Sequence, residues 1–343
     1  MTLKNTIEFP NLFGDGIIIS AGRVAFTLPI VGLEVYWYGV IITTAVALGI
    51  LYGINRASKV GLLPDNVFEI AFWGVITGVV GARAYYVLFN GGGMSLQDAV
   101  TGIRGGGLAI YGGLIGAVAG GGIAARVKKV KFAPLADLIG LGFLIGHSIG
   151  RWGNFFNQEA FGAPTASSLP WGMTGNLIRA DSQVAAMQRS LGNSGYALVH
   201  PCFLYESLWC LVGFVVLHFY MKRRSFDGEV FLLYVVWYGT GRAFIESLRT
   251  DSLMAGGLRV SQVLAIVSAV AALGLFVYFK VKVKNSGKAL FKDTDASREA
   301  VAAYDYKIRL EKEKIAAKNE IVKHQREMTD PFRDDEEDDD DDS

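Results

Sequence analysis

The sequence predicts an all-α polytopic membrane protein with seven transmembrane helices, and three observations predict it. Hydrophobic residues make up 51% of the 343 and charged residues only 19%. Apolar stretches of about 20 residues recur, each long enough to cross a bilayer as a helix whose backbone groups bond internally. Basic residues gather in alternate connections, the asymmetry that orients membrane helices. Glycine, at 42, exceeds the roughly 24 of average usage, and small residues let membrane helices pack closely.

The elements follow in order. Met1 to Gly32 carries Glu8 and Asp15 and lacks the basic start and apolar core of a cleavable signal. Residues 1–36 are therefore expected as an N-terminal outer-face segment. Spans are predicted near 37–54, 66–89, 108–125, 133–150, 201–220, 229–246 and 260–279. Arg56 and Lys59 follow the first span, Arg126, Lys128, Lys129 and Lys131 the third, Lys222, Arg223 and Arg224 the fifth, and Lys280, Lys282 and Lys284 the seventh. The positive-inside rule then puts the N-terminus outside and the C-terminus in the cytoplasm.

Residues 37–284 form the predicted membrane domain, with an outer loop from about 151 to 200 that is rich in Gly, Ser, Asn and Pro. Loops of that length are usually functional or disordered. The tail, 285–343, holds 11 Lys and Arg against 18 Asp and Glu, a net of −7, so the overall +1 hides a membrane part at +8. Ala296 to Met328 has helix-forming composition, and Asp334 to Asp342 is an unbroken acidic run expected to be disordered.

Polar residues at membrane depth point to function. Gly150-Arg151-Trp152-Gly153-Asn154-Phe155-Phe156-Asn157-Gln158-Glu159 sits where an apolar run gives way to polar sequence. An arginine at a helix centre costs on the order of 2.5–3.5 kcal/mol, and less toward the ends. A lone arginine there would snorkel to lipid headgroups, but two asparagines, a carboxylate and glycines accompany this one. In the sixth span Tyr238, Arg242, Glu246 and Arg249 fall within an arc of about 80°, on one helix face. Arg242 and Glu246 are four apart and can pair. Arg83 adds a cation near the outer end of the second span. Arginine offers a planar fork of donors suited to phosphate. Several arginines toward one side, with few matching carboxylates, suggest a bound phosphate group.

Cys202 and Cys210 are too far apart along one helix to bond to each other and read as core. His218 and His324 are weak candidates. No zinc-ligand spacing, Walker loop, Ser-His-Asp order or nucleotide fingerprint stands out. No metal, cofactor or nucleic-acid partner is expected.

At these residues the chain resembles the bacterial prolipoprotein diacylglyceryl transferase family. The signature is the segment above continued through Ala160-Phe161-Gly162. Four further stretches match in order: Tyr36-Trp37-Tyr38-Gly39; Gly106-Gly107-Leu108-Ala109-Ile110-Tyr111-Gly112-Gly113; His200-Pro201-x-x-Leu204-Tyr205-Glu206; and Tyr238-Gly239-x-x-Arg242-x-x-x-Glu246-x-x-Arg249-x-Asp251. The resemblance covers roughly residues 30–280 and leaves out the tail.

The resemblance implies transfer of the diacylglyceryl group of phosphatidylglycerol to the lipobox cysteine of a prolipoprotein signal peptide. A thioether forms and glycerol phosphate leaves. It implies a multi-pass protein of the bacterial plasma (inner) membrane, among membrane lipids, with its active site toward the outer face. Arg151 and Arg242 match the family's most important arginines, and Tyr38, Asn154, Glu159, Gly162, His200, Tyr238 and Glu246 match further positions. Arg83, Asn157 and Arg249 join them as substrate-binding candidates, with Arg151, Arg242, Tyr111 and His200 as the catalytic ones.

One departure stands out. Many members carry a histidine where this chain has Tyr111, and a phenol of ordinary pKa near 10 is a poor base at neutral pH. Either Tyr111 positions substrate, or the proton leaves through His147, His200 or water. The rival reading is an anion or lipid transporter, although no internal repeat of the Arg-Trp-Gly-Asn motif supports it. A lipid-binding scaffold is a weaker third.

Overall fold

The structure, a computed structural model, describes residues 6–20, 22–29, 32–90, 107–165, 169–192, 197–250, 254–287 and 289–329. Gly106, Asp251 and the acidic run Asp334 to Asp342 lie outside the described residues. Long helices occupy all seven apolar stretches: α1 (Trp37–Arg56), α2 (Pro64–Asn90), α3 (Ile110–Val127), α4 (Phe132–Asn157), α6 (Cys202–Tyr220), α7 (Glu229–Leu248) and α8 (Val260–Ser286). A shorter α5 (Ser182–Leu191) precedes α6, and α9 (Asp295–Thr329) lies in the tail. Six of these, α1 to α4, α6 and α8, are long and apolar enough to cross a membrane. The chain is a polytopic membrane protein. Helix α7, which carries Glu229, Arg242 and Glu246, is not among the six.

Helix α4 packs against α1, α6 and α7, and α8 packs against α7. Leu138, Leu141, Leu144, Cys210, Leu217, Val230 and Tyr234 fill the core between them. Helices α2 and α3 form a second closely packed pair. Glycine makes that approach possible. A Cβ on Gly112 would stand 2.3 Å from the Gly81 carbonyl oxygen, and one on Gly116 2.2 Å from that of Thr77. Backbones can meet this closely only where side chains are missing.

The purely helical expectation needs correction at the end predicted to face outward. Strands β1 (Thr6–Phe9) and β2 (Ile17–Ser20) pair antiparallel, and β6 (Thr174–Gly175) adds to the other edge of β1. Strands β3 (Val24–Leu28) and β4 (Leu33–Tyr36) form a hairpin that runs into α1. Two-residue strands β5 (Pro164–Thr165) and β7 (Leu198–Val199) pair, as do β8 (Met254–Ala255) and β9 (Leu258–Arg259). Short β-branched runs between turn residues favour strands over helices. Ile7, Phe9, Phe155, Met173, Ile178, Val184 and Val199 give this cap its own apolar core.

A second correction concerns the start of the loop. The sequence ends the fourth helix near residue 150, whereas α4 runs on to Asn157, and Gln158 closes it with φ +52°. Gly150 and Gly153 leave the helix intact because membrane helices tolerate glycine and gain close packing from it. Arg151 and Asn154 are therefore helical residues, held on a rigid element rather than on a loop.

At the opposite end Asp137 is fully buried, accepting 3.0 Å hydrogen bonds from the Gly228 and Phe231 backbone N–H groups. The tail docks nearby. The Phe291 N–H donates to Asp227 at 2.7 Å, the Ser297 hydroxyl to the Gly61 carbonyl at 3.0 Å, and the Tyr304 hydroxyl to Asp65 at 2.8 Å.

Candidate functional site

Three helices bring charge together beneath the cap. Arg151 comes from the last turns of α4, Glu206 from the first turns of α6, and Arg242 and Glu246 from the end of α7. Arg151 Nη2 lies 2.5 Å from Glu206 Oε2, and Arg242 Nη1 lies 2.6 Å from Glu206 Oε1. Arg242 Nη2 turns to Glu246 Oε2 at 2.7 Å, the pairing its four-residue spacing predicts. Arg249 Nη1 approaches Glu206 Oε1 at 3.8 Å. Three guanidinium groups thus converge on one carboxylate.

Burial sets the energetics. Glu206 and Glu246 are 4% and 2% exposed. Removing one partner from such a cluster strands a charge and costs about 3–5 kcal/mol. Two carboxylates against three arginines leave one unit of positive charge among the paired side chains. Arg259 on β9 adds another cation, donating to the Glu246 carbonyl from the cap side. The expectation of few matching carboxylates is refined accordingly: the arginines are paired, yet in excess.

Around this cluster the signature segment folds back on itself. The Asn154 and Asn157 amides both donate to Glu159 Oε1, at 3.0 and 3.1 Å, and Arg151 Nη1 reaches Asn154 Oδ1 at 3.5 Å. The ring of Tyr38 lies over Gly153, its Cδ2 where a side chain would begin. Gly162 joins two ends of the site. Its N–H donates to the His200 carbonyl at 2.8 Å, and it bridges Arg249 across the backbone. A Cβ there would meet His200 Cβ at 2.7 Å, Cys202 Sγ at 2.9 Å and the Leu248 carbonyl at 3.1 Å.

His200 Nδ1 stands 3.2 Å from the Tyr205 hydroxyl, and burial holds its imidazole below the ordinary histidine pKa. Deeper in the bundle, Tyr238 on α7 stacks on His147 of α4, with ring centroids 4.5 Å apart and 16° between planes. Each lies one helical turn before an arginine of the cluster, His147 before Arg151 and Tyr238 before Arg242.

Two further sequence candidates, Arg83 and Tyr111, have contacts of their own. Arg83 donates to the Gly107 carbonyl at 3.0 Å and lies over the Tyr86 ring. Tyr111, 67% exposed at the start of α3, has the Tyr85 ring as its aromatic neighbour, 6.5 Å away. These neighbours belong to α2 and the entry to α3. Conversely, sequence reasoning quoted Glu206 within a motif without giving it a role. The signal was present: a carboxylate inside an apolar span needs a partner as much as an arginine does. Trp152 and Ser207 were missed as well. The indole donates to the Ser207 hydroxyl at 3.2 Å, and that hydroxyl to the Ser148 carbonyl at 2.7 Å, tying α4 to α6 beside Glu206.

The arrangement can bind a tetrahedral anion at the ends of three helices and stabilise charge that develops on it. Comparison with known proteins agrees with this chemistry. A phosphatidylglycerol–prolipoprotein diacylglyceryl transferase of Clostridioides difficile is 39% identical over 265 residues, spanning 77% of this chain and 98% of the relative. Enzymes of the same name from Listeria innocua and Finegoldia magna are 41% and 38% identical, over 73% and 77% of this chain and 87% and 98% of their own lengths. The profile of the family described as prolipoprotein diacylglyceryl transferase matches residues 23–278, a stretch that contains the arginine cluster and stops before the docked tail. The chain belongs to the prolipoprotein diacylglyceryl transferase family.

Proposed function

We propose that this chain is the transferase that moves the diacylglyceryl group of phosphatidylglycerol onto the cysteine thiol of prolipoproteins. The observation that carries the reading is the convergence of Arg151, Arg242 and Arg249 on Glu206, within a family whose relatives are named for this reaction. The lipid phosphodiester carries one negative charge, matching the surplus left by the two carboxylates. Arg151 and Arg242 hold the phosphate. The thiolate attacks the glycerol carbon next to the phosphate, the carbon–oxygen bond breaks, and glycerol phosphate leaves with the bonding pair. The guanidinium groups, fixed in place before the reaction, stabilise the charge that grows on the leaving oxygen. Glu159, oriented by Asn154 and Asn157, and Tyr38, packed on Gly153, are the further groups assigned to substrate. Glu246 fixes Arg242, Tyr238 stacks on His147 one turn earlier, and Gly162 ties the His200 backbone to that of Arg249.

In this reading α7 also crosses the membrane and brings the spans to seven, its charged residues matched by neighbours rather than by water. The N-terminus and the β cap face outward, the tail faces the cytoplasm, and the membrane is the bacterial inner membrane. The acceptor cysteine is presented by a signal peptide that lies along the bundle.

The test is direct. Purified protein with phosphatidylglycerol and a lipobox peptide yields a peptide heavier by one diacylglyceryl group, joined by a thioether. Phosphatidylglycerol movement across vesicles without any peptide product would favour a transporter and overturn the assignment. The orientation has its own test. In a chain with Cys202 and Cys210 replaced by serine, an impermeant thiol reagent labels a cysteine at Ser190 in intact cells and leaves one at Lys222 unlabelled. The reverse pattern overturns it.

A further inference from the structure

Resting on that reading, we propose that His147, on the buried side of the arginine cluster, is the base that takes the thiol proton. The argument is one of depth. In phosphatidylglycerol the carbon that is attacked lies between the phosphate and the acyl esters, so it sits deeper in the bilayer than the phosphate. Arg151 and Arg242, which hold that phosphate, are each preceded by one turn by His147 and Tyr238. Four residues of helix amount to about 6 Å along the axis, close to the distance from a phosphate to the next carbon and its incoming nucleophile. The imidazole is stacked flat on Tyr238, which fixes its plane. It is partly exposed, and among the described residues no hydrogen bond occupies either ring nitrogen. Neither nitrogen is therefore committed to a hydrogen bond among the described residues.

The other candidates are placed less well. His200 lies before α6, on the cap side of Glu206, and its Nδ1 faces the Tyr205 hydroxyl. Tyr111 is largely exposed on α3 against Tyr85. A neutral imidazole is a competent acceptor.

The step balances. The thiol proton passes to a His147 nitrogen as sulfur forms its bond to carbon, and the carbon–oxygen pair leaves with glycerol phosphate. The leaving phosphate gains one negative charge and His147 gains one positive charge. The site's net charge is unchanged, which limits the cost of an imidazolium beside two guanidinium groups. The proton then departs with, or after, the glycerol phosphate.

The experiment uses the full chain in detergent with phosphatidylglycerol and a lipobox peptide, following thioether product. His147→Gln keeps a polar planar side chain but cannot carry the proton. Its kcat is expected to fall about 10²–10⁴-fold, the usual contribution of a positioned base, with both KM values within about threefold of wild type. Added imidazole is expected to restore part of the kcat of His147→Ala. Tyr111→Phe and His200→Gln should each lose no more than about tenfold. A His147→Gln kcat within threefold of wild type overturns the proposal. So does a loss that resides in KM and resists imidazole, because His147 would then only shape the site. A wild-type chain that makes no thioether product overturns the proposed function instead, which separates the two failures.

Discussion

Arg151 on α4 and Glu206 on α6 stand 2.5 Å apart, Nη2 to Oε2, and the carboxylate is almost fully buried. The same carboxylate receives Arg242 from α7 at 2.6 Å, so one acidic side chain sets the position of two arginines on different helices. Its two oxygens hold the two guanidinium groups in place beside one another. Four expectations follow from this arrangement and its surroundings.

Arg151→Lys and Arg242→Lys keep the charge but lose the planar fork. Each should lower turnover by roughly 10²–10³, the effect of removing one charge-stabilising donor. Thioether formation at saturating lipid measures it. Near-normal turnover in both variants would make these arginines structural.

Glu206→Gln leaves the arginines facing one another without their shared counter-charge. It should cost about 3–5 kcal/mol of stability, read as a lower thermal midpoint in detergent. Phosphatidylglycerol should raise the midpoint of the variant more than that of the wild type, because the lipid phosphate replaces the missing negative charge. An unchanged midpoint would show that the cluster does not depend on Glu206.

His200 gives a pH dependence of known sign. Its folded pKa is depressed by burial, so the charged imidazole is disfavoured in the fold. The neutral form's contribution is fully present above about pH 6.5, the ordinary histidine value. It is lost as pH falls from there toward the folded pKa. Between pH 7 and 5 the thermal midpoint of the wild type should fall more steeply than that of His200→Gln. Parallel curves would place His200 in a solvated environment.

The tail divides into a docked part and a remainder. Ending the chain after Lys284 removes the Phe291–Asp227 and Ser297–Gly61 hydrogen bonds and the exposed Tyr304–Asp65 one. The first two, one to a charged group and one neutral, should lower stability by about 2–4 kcal/mol when lost, and the exposed bond adds little. Transferase activity should stay within a few-fold. Ending it after Thr329 removes only the acidic end and should change neither. Equal stability of the two truncations would mean that the docked contacts contribute nothing.

By itself the sequence determined the helices, because a bilayer demands about 20 apolar residues per span and such stretches are countable. It also determined that Arg151 and Arg242 need compensating partners, because a charge at that depth is costly alone. The Arg242–Glu246 pair was legible too, since four residues of helix bring two side chains to one face. The β cap was less so: its strands are only two to five residues long, and several pair with segments far along the chain. Tertiary structure alone decided which helix faces meet. Periodicity gives each helix a face but not its neighbour, so Glu206 read as one residue of a motif until packing placed it between α4 and α7. The same packing set Tyr111 beside Tyr85 on the α2–α3 pair and stacked His147 on Tyr238 beneath the arginines. Residues that are remote in the chain become one site only when the bundle fixes their distances, and no local pattern encodes those distances.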